Sequence, residues 1–249
     1  MHLIGRGAYA SVYYDAERGT AVKVQPHSDG PDSGLRASVL REVRILNNLR
    51  HVRILALLEI RFASDVVFLC TEYVPRTLRQ LLREEQPDDA TVRAITRELF
   101  EALEFCHRKG VMHRDVTPDN IMATADAHVK LADFGLAREV LDRASDKKHR
   151  TYTSQTVTLW YRPPEVLKGQ SYDTGLDVWS AGCVFGEMCL GRPLFPGKNE
   201  VEMVELTRCT DRLVDEIPDQ LSRAVVARCL CASTERATAA AVVATLSIE

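Results

Sequence analysis

The stretch His113-Arg114-Asp115-Val116-Thr117-Pro118-Asp119-Asn120 decides how this chain is read. It follows a helical pattern that stops at Gly110, and Pro118 cannot continue a helix, so the segment is a loop. Asp115 and Asn120 stand five positions apart on it, and Asp133-Phe134-Gly135 begins eighteen positions after Asp115. Two acidic groups and an amide on two loops, joined by a short apolar strand, suit a site that holds a metal ion and a hydroxyl nucleophile side by side.

Bulk properties limit the alternatives. A chain of 249 residues, 45% hydrophobic and 27% charged, can bury a sizeable core in one or two compact lobes. A formal net charge of -3 argues against bulk binding to nucleic acid or to a membrane surface. The seven cysteines are scattered, with no Cys-x-x-Cys pair, which predicts buried free thiols in a reducing compartment and an intracellular protein. No apolar run is long enough to span a bilayer, and no signal-peptide pattern opens the chain.

Read in order, Leu3 to Tyr14 is a strand, a glycine turn and a second strand. Gly5 and Gly7 let the backbone bend tightly and present N–H groups at close range, as either a phosphate-binding loop or an ordinary hairpin requires. The chain begins almost at this turn, so the first strand is expected to be short. Thr20 to Val24 is a short strand carrying Lys23, and residues 25–34 form a polar loop. A helix is predicted from about Leu35 to Leu49, with Val39, Val43 and Leu46 on one stripe and Glu42 within it. Leu55 to Phe62 and Val66 to Tyr73 are apolar strands around the turn Ala63-Ser64-Asp65. Ala90 to Lys109 is a long amphipathic helix ended by Gly110. About thirty irregular residues follow Asp133, up to Pro163-Pro164-Glu165. Asp177 opens an apolar helix running to about Leu190, Asp211 to Pro218 reads as a short connection, and Gln220 to Leu230 and Ala237 to Leu246 read as the last helices.

Together these residues resemble the protein kinases. The run Arg150-Thr151-Tyr152-Thr153, with Val157-Thr158-Leu159-Trp160-Tyr161-Arg162-Pro163-Pro164-Glu165, resembles an activation segment of cyclin-dependent kinases in the CMGC group. The resemblance implies an α+β bilobal kinase domain over residues 1–249. Its N-lobe (1–74) would be a small antiparallel sheet with one regulatory helix, and its C-lobe (75–249) mainly α-helical.

It further implies a serine/threonine protein kinase that uses ATP and Mg2+. ATP would lie beneath the Gly5–Val12 loop, in a site that includes Ile4, Val12 and Thr71, with its base against Ala21, Glu72 to Val74 and Met122. Lys23, paired with Glu42, would contact the α/β phosphates. Asn120 and Asp133 would hold Mg2+, and Asp115 would orient the substrate hydroxyl. Thr153 would be the activating phosphorylation site, gathering Arg41, Arg114 and Arg138; Tyr9 resembles an inhibitory phosphotyrosine site. Val157 and Arg162 would accept proline after the target residue. Asp177 would anchor the catalytic loop, and Arg236 would pair with Glu165. The implied partners are a Ser/Thr-Pro protein substrate and a cyclin-like activating subunit. Three features depart from the family pattern: Ala10 replaces the third loop glycine, the C-lobe is shortened after Gly197, and Thr117 stands where a lysine reaches the γ-phosphate. The last departure sets a second reading beside the first, a weakly active or inactive pseudokinase scaffold.

Overall fold

The computed structural model describes residues 1–7, 10–26, 37–63, 66–140 and 159–247. Five strands, β1 (His2–Arg6), β2 (Ser11–Asp15), β3 (Thr20–Pro26), β4 (Leu57–Phe62) and β5 (Val66–Glu72), make one antiparallel sheet in the order β1-β2-β3-β5-β4. The first strand has five residues, as many as its neighbour. The register places Lys23 between Val12 and Leu69, and Ala21 between Tyr14 and Thr71.

Helix α1 (Ala37–Asn48) joins β3 to β4 and is shared between two cores. Val39 and Val43 pack on Val67, Leu69, Leu57 and Ile60 of the sheet, whereas Ile45 and Leu49 enter the large core below. The following link is tied to that lower half: Leu131 N–H donates to Arg53 O at 2.8 Å, and Leu55 N–H donates to Leu131 O at 2.9 Å.

The C-terminal part begins with β6 (Arg76–Thr77) and α2 (Leu78–Glu84). Thr77 and Gln80 close a capping box at the start of α2, each accepting from the other's backbone N–H. The long helix α3 (Asp89–Arg108) starts at Asp88, whose carboxylate accepts from Thr91 N–H, and stops before Gly110, where φ is +71°. Short strands β7 (Val111–Met112), β8 (Ile121–Ala123), β9 (Val129–Leu131) and β10 (Arg138–Glu139) follow. They pair as β6-β8-β9 and β7-β10 and so frame the loop that begins at His113.

Then come α4 (Pro164–Leu167), α5 (Gly175–Leu190), α6 (Glu200–Leu206), α7 (Thr210–Asp215), α8 (Gln220–Cys229) and α9 (Ala239–Leu246). Helix α5 is buried on nearly every side, between α3 and α8. A Cβ on Gly182 would stand 2.5 Å from Cys229 Cβ, so only glycine allows that approach. Among the described residues no helix is long and apolar enough to cross a membrane.

The architecture is the bilobal α+β arrangement expected, with two local corrections. Residues 211–218 do not form a plain connection, because Thr210–Asp215 is helical. Thr210, Val214 and Ile217 are buried at helical spacing, a stripe too short to stand out in the sequence. The cysteines are all free, but Cys209 is exposed and Cys189 and Cys231 are only half-buried.

Candidate active site

The loop from His113 to Asn120 is held from below by one fully buried carboxylate. Asp177, in the first turn of α5, accepts from His113 N–H at 2.9 Å and from Arg114 N–H at 2.7 Å, and its Oδ2 lies 2.9 Å from His107 Nε2. Burial alone would raise the Asp177 pKa. Its hydrogen bonds and the neighbouring histidines outweigh that and hold it below the usual aspartate value. These bonds support a left-handed backbone at Arg114 (φ +71°), which a non-glycine residue adopts only at a cost. The His113 ring contacts Ala132 O at 2.9 Å and meets Phe134 edge-on, coupling this loop to the next.

Asn120 then fixes Asp115. Its Nδ2 donates to Asp115 Oδ2 at 2.7 Å and to Asp115 O at 2.9 Å. The other carboxylate oxygen, Asp115 Oδ1, is buried and accepts no hydrogen bond among the described residues. Burial pushes the Asp115 carboxyl up, and the Asn120 bond opposes this only in part.

Above the loop, Lys23 Nζ stands between Glu42 Oε1 at 2.7 Å and Asp133 Oδ1 at 2.8 Å. Burial works to lower the Lys23 pKa, but the two carboxylates raise it above the ordinary lysine value. Asp133 is held below its ordinary value: desolvation favours the neutral acid, and the Lys23 charge with the Gly135 N–H overcomes it. A Cβ on Gly135 would come 3.2 Å from Asp133 Oδ1, so the small residue keeps this corner open. Strand β3, helix α1 and two loops thus converge on one cleft, at residues 23, 42, 115, 120 and 133.

The chain belongs to the protein kinase family. The protein kinase domain family matches residues 1–245. Cyclin-dependent kinase 1 of Encephalitozoon cuniculi is 38% identical over 214 residues, which cover 82% of this chain and 70% of the relative. Cell division control protein 2 homolog 3 of Trypanosoma brucei brucei is 40% identical over 207 residues, 81% of this chain and 65% of the relative. Cyclin-dependent kinase 2 of Caenorhabditis elegans is 36% identical over 213 residues, covering 82% of this chain and 56% of the relative. It is a serine/threonine protein kinase similar to the cyclin-dependent kinases.

The remaining expected site residues of this kinase fall as follows. Ala21 and Val74 are buried, Val12, Thr71 and Met122 are partly buried, and Ile4 is exposed. Gly7 N–H donates to Ala10 O at 2.8 Å, closing the turn after Gly5. The Glu72 side chain accepts at Oε1 from Ala56 N–H and from Lys130, and its backbone N–H donates to Ala56 O. Glu165 and Arg236 form a buried pair at 2.6 Å, and Arg236 also lies 5.1 Å over the Trp179 ring. Arg162 is buried, 3.8 Å from Glu200. Arg114 Nη1 reaches Leu136 O at 3.4 Å, Arg138 pairs with Met112 across β10 and β7, and Arg41 lies on α1. Tyr9, Thr153 and Val157 lie outside the described residues. Thr117, two positions after Asp115, is buried and carries no charge.

Two contributors went unnoticed in the sequence. Gln25 donates to Glu42 Oε2 at 3.1 Å, from two residues beyond Lys23 on the same strand. Its only signal was a polar residue in phase with the lysine. Arg79 on α2 donates to Glu187 on α5, to the Tyr161 hydroxyl and, at 3.3 Å, to Asp119. Nothing local marked that cluster, whose members are up to 108 residues apart.

Proposed function

We propose that this kinase transfers the γ-phosphoryl group of ATP to serine or threonine hydroxyls followed by proline, at a rate lowered by Thr117. The observation that carries this reading is the unshared, buried Oδ1 of Asp115. A buried acceptor left open is costly unless a ligand supplies the donor, and a substrate hydroxyl supplies one. Asn120 holds the other oxygen and so fixes the direction of the open one.

The residues also suit the cofactors. Asp133 offers a carboxylate, and Asn120 offers an amide oxygen, since its nitrogen is committed to Asp115. Hard oxygen donors with few protein ligands fit Mg2+ bound together with substrate phosphates. When bound, Mg2+ would neutralise charge on the β/γ phosphates. Lys23, steadied by Glu42, would contact the α/β phosphates, and the backbone of Gly5 to Val12 would cover them. The base would lie against Ile4, Val12, Ala21, Thr71, Val74, Met122 and the Glu72 backbone.

Regulation follows the same kinship. Phosphorylation at Thr153 would draw on Arg41, Arg114 and Arg138, Tyr9 would be an inhibitory site, and a cyclin-like subunit would act on α1. Arg162, which is buried, would act with Val157 in the preference for proline. The protein would work inside the cell, in the cytoplasm or nucleus.

An assay with paired Ser-Pro and Ser-Ala peptides tests the reading, with Asp133→Asn as control. Wild type is expected to phosphorylate the Ser-Pro peptide faster and the variant neither. Equal rates on the two peptides would remove the proline preference. Absence of transfer by wild type would favour the second reading, a pseudokinase scaffold, for which the uncharged Thr117 is the specific support.

Thr117→Lys measures that support directly. A missing cation at the transferring phosphoryl weakens transition-state stabilisation by about 3 kcal/mol, by analogy with lost oxyanion donors. The variant should therefore raise kcat by up to roughly a hundredfold. An unchanged kcat would show that the position does not limit transfer.

A further inference from the structure

We infer that Gln25 is a positioning residue that latches helix α1 to strand β3, keeping the Lys23–Glu42 pair assembled from within this chain. The inference rests on the kinase reading above and adds a residue to its machinery. Lys23 and Gln25 are two positions apart on β3, so their side chains leave the same face of the sheet. Both donate to the one carboxylate that α1 sends toward that face. Lys23 takes Oε1 at 2.7 Å and Gln25 takes Oε2 at 3.1 Å.

Burial gives the second bond its weight. Glu42 and Gln25 are 4% and 9% exposed, so water cannot stand in for the amide, and an unmatched carboxylate oxygen there is costly. Lys23 cannot hold Glu42 alone, because its ammonium is shared with Asp133 at 2.8 Å and is the group that would turn to a phosphate. A neutral amide has no such second duty.

The attachment of α1 makes the latch consequential. The half of α1 over the sheet is held by a small apolar cluster whose fully buried members are Val39, Val67 and Leu69. Its other end, at Ile45 and Leu49, belongs to the large core. A helix fixed firmly at one end and lightly at the other can pivot, and Glu42 sits on the lightly held half. Gln25 adds a directional bond at that point, an intramolecular hold on Glu42 beside whatever an activating subunit contributes to α1.

The test is Gln25→Met, which keeps the side chain's length and removes the donor, with Gln25→Leu as a second variant should methionine disturb folding. The kcat for peptide phosphorylation is expected to fall about tenfold, with the peptide KM unchanged. Amide hydrogen exchange in α1 is expected to quicken, and in a Glu42→Ala background the same change should add nothing to it. A kcat within twofold of wild type, or equal quickening of exchange in both backgrounds, would overturn the latch and leave Gln25 a packing residue. If wild type phosphorylates no peptide, the kinase reading fails on that result alone. The exchange comparison then still decides whether Gln25 holds the helix.

Discussion

Replacing Asp115 with asparagine is expected to lower kcat by about a thousandfold, the usual scale for a lost general base. The fold should survive the change, because Asp177 holds the loop backbone through His113 and Arg114 rather than through the Asp115 side chain. Wild type should also lose activity on acidification, with a midpoint above the ordinary aspartate value, since the protonated acid accepts no proton and burial raises its pKa. The variant should show no such limb. The same shift has a sign for stability. A carboxyl raised in the folded state contributes stability below its unfolded pKa and loses it as pH rises through the folded one. Near neutral pH the charged Asp115 therefore burdens the fold, and Asp115→Asn should melt no lower than wild type. Steady-state rates across pH and a melting curve check both statements. A variant keeping a tenth of the wild-type kcat would remove Asp115 from the chemistry.

Replacing Asp177 with alanine should destabilise the protein by about 3–5 kcal/mol, the range for removing one partner of a buried charged network. The buried His113 N–H, the half-buried Arg114 N–H and His107 would lose their acceptor, and Arg114 would keep its left-handed backbone without the bonds that support it. For a chain of this size, that lowers Tm by roughly 10 °C. Asp177 is depressed in the folded state, so its contribution is present above the unfolded aspartate pKa and disappears as pH falls through the folded value. The gap between wild type and Asp177→Ala should thus be full at neutral pH and close in strong acid. A Tm within about 2 °C of wild type would mean that other contacts hold the loop.

Much of the fold was legible because its signals are local. Glycine and polar turns between short apolar runs marked the sheet strands, a 3.6-residue stripe marked α3, Gly110 marked its end, and Pro118 excluded a helix from the loop that follows. Short elements escaped. Helix α2 is seven residues, recognisable only through its Thr77–Gln80 capping box, and α7 is six, with two buried positions. Neither is long enough for periodicity to stand above chance.

The sequence by itself determined which groups are available: a strand lysine, a helix glutamate, an aspartate and an asparagine five apart, a second aspartate before Phe134-Gly135, and a threonine at position 117 where family members carry a cation. Local rules and motif spacing are sufficient for that, because they depend on neighbours in the chain. Only the tertiary structure decided how those groups share their bonds. Lys23 divides between Glu42 and Asp133, Gln25 takes the carboxylate oxygen that Lys23 leaves, and Asp177 reaches back more than sixty residues to set the Arg114 backbone. Such contacts arise when burial withdraws water from polar atoms and obliges each to find a partner in the chain, and which partner lies within 3 Å depends on the packing of separate elements.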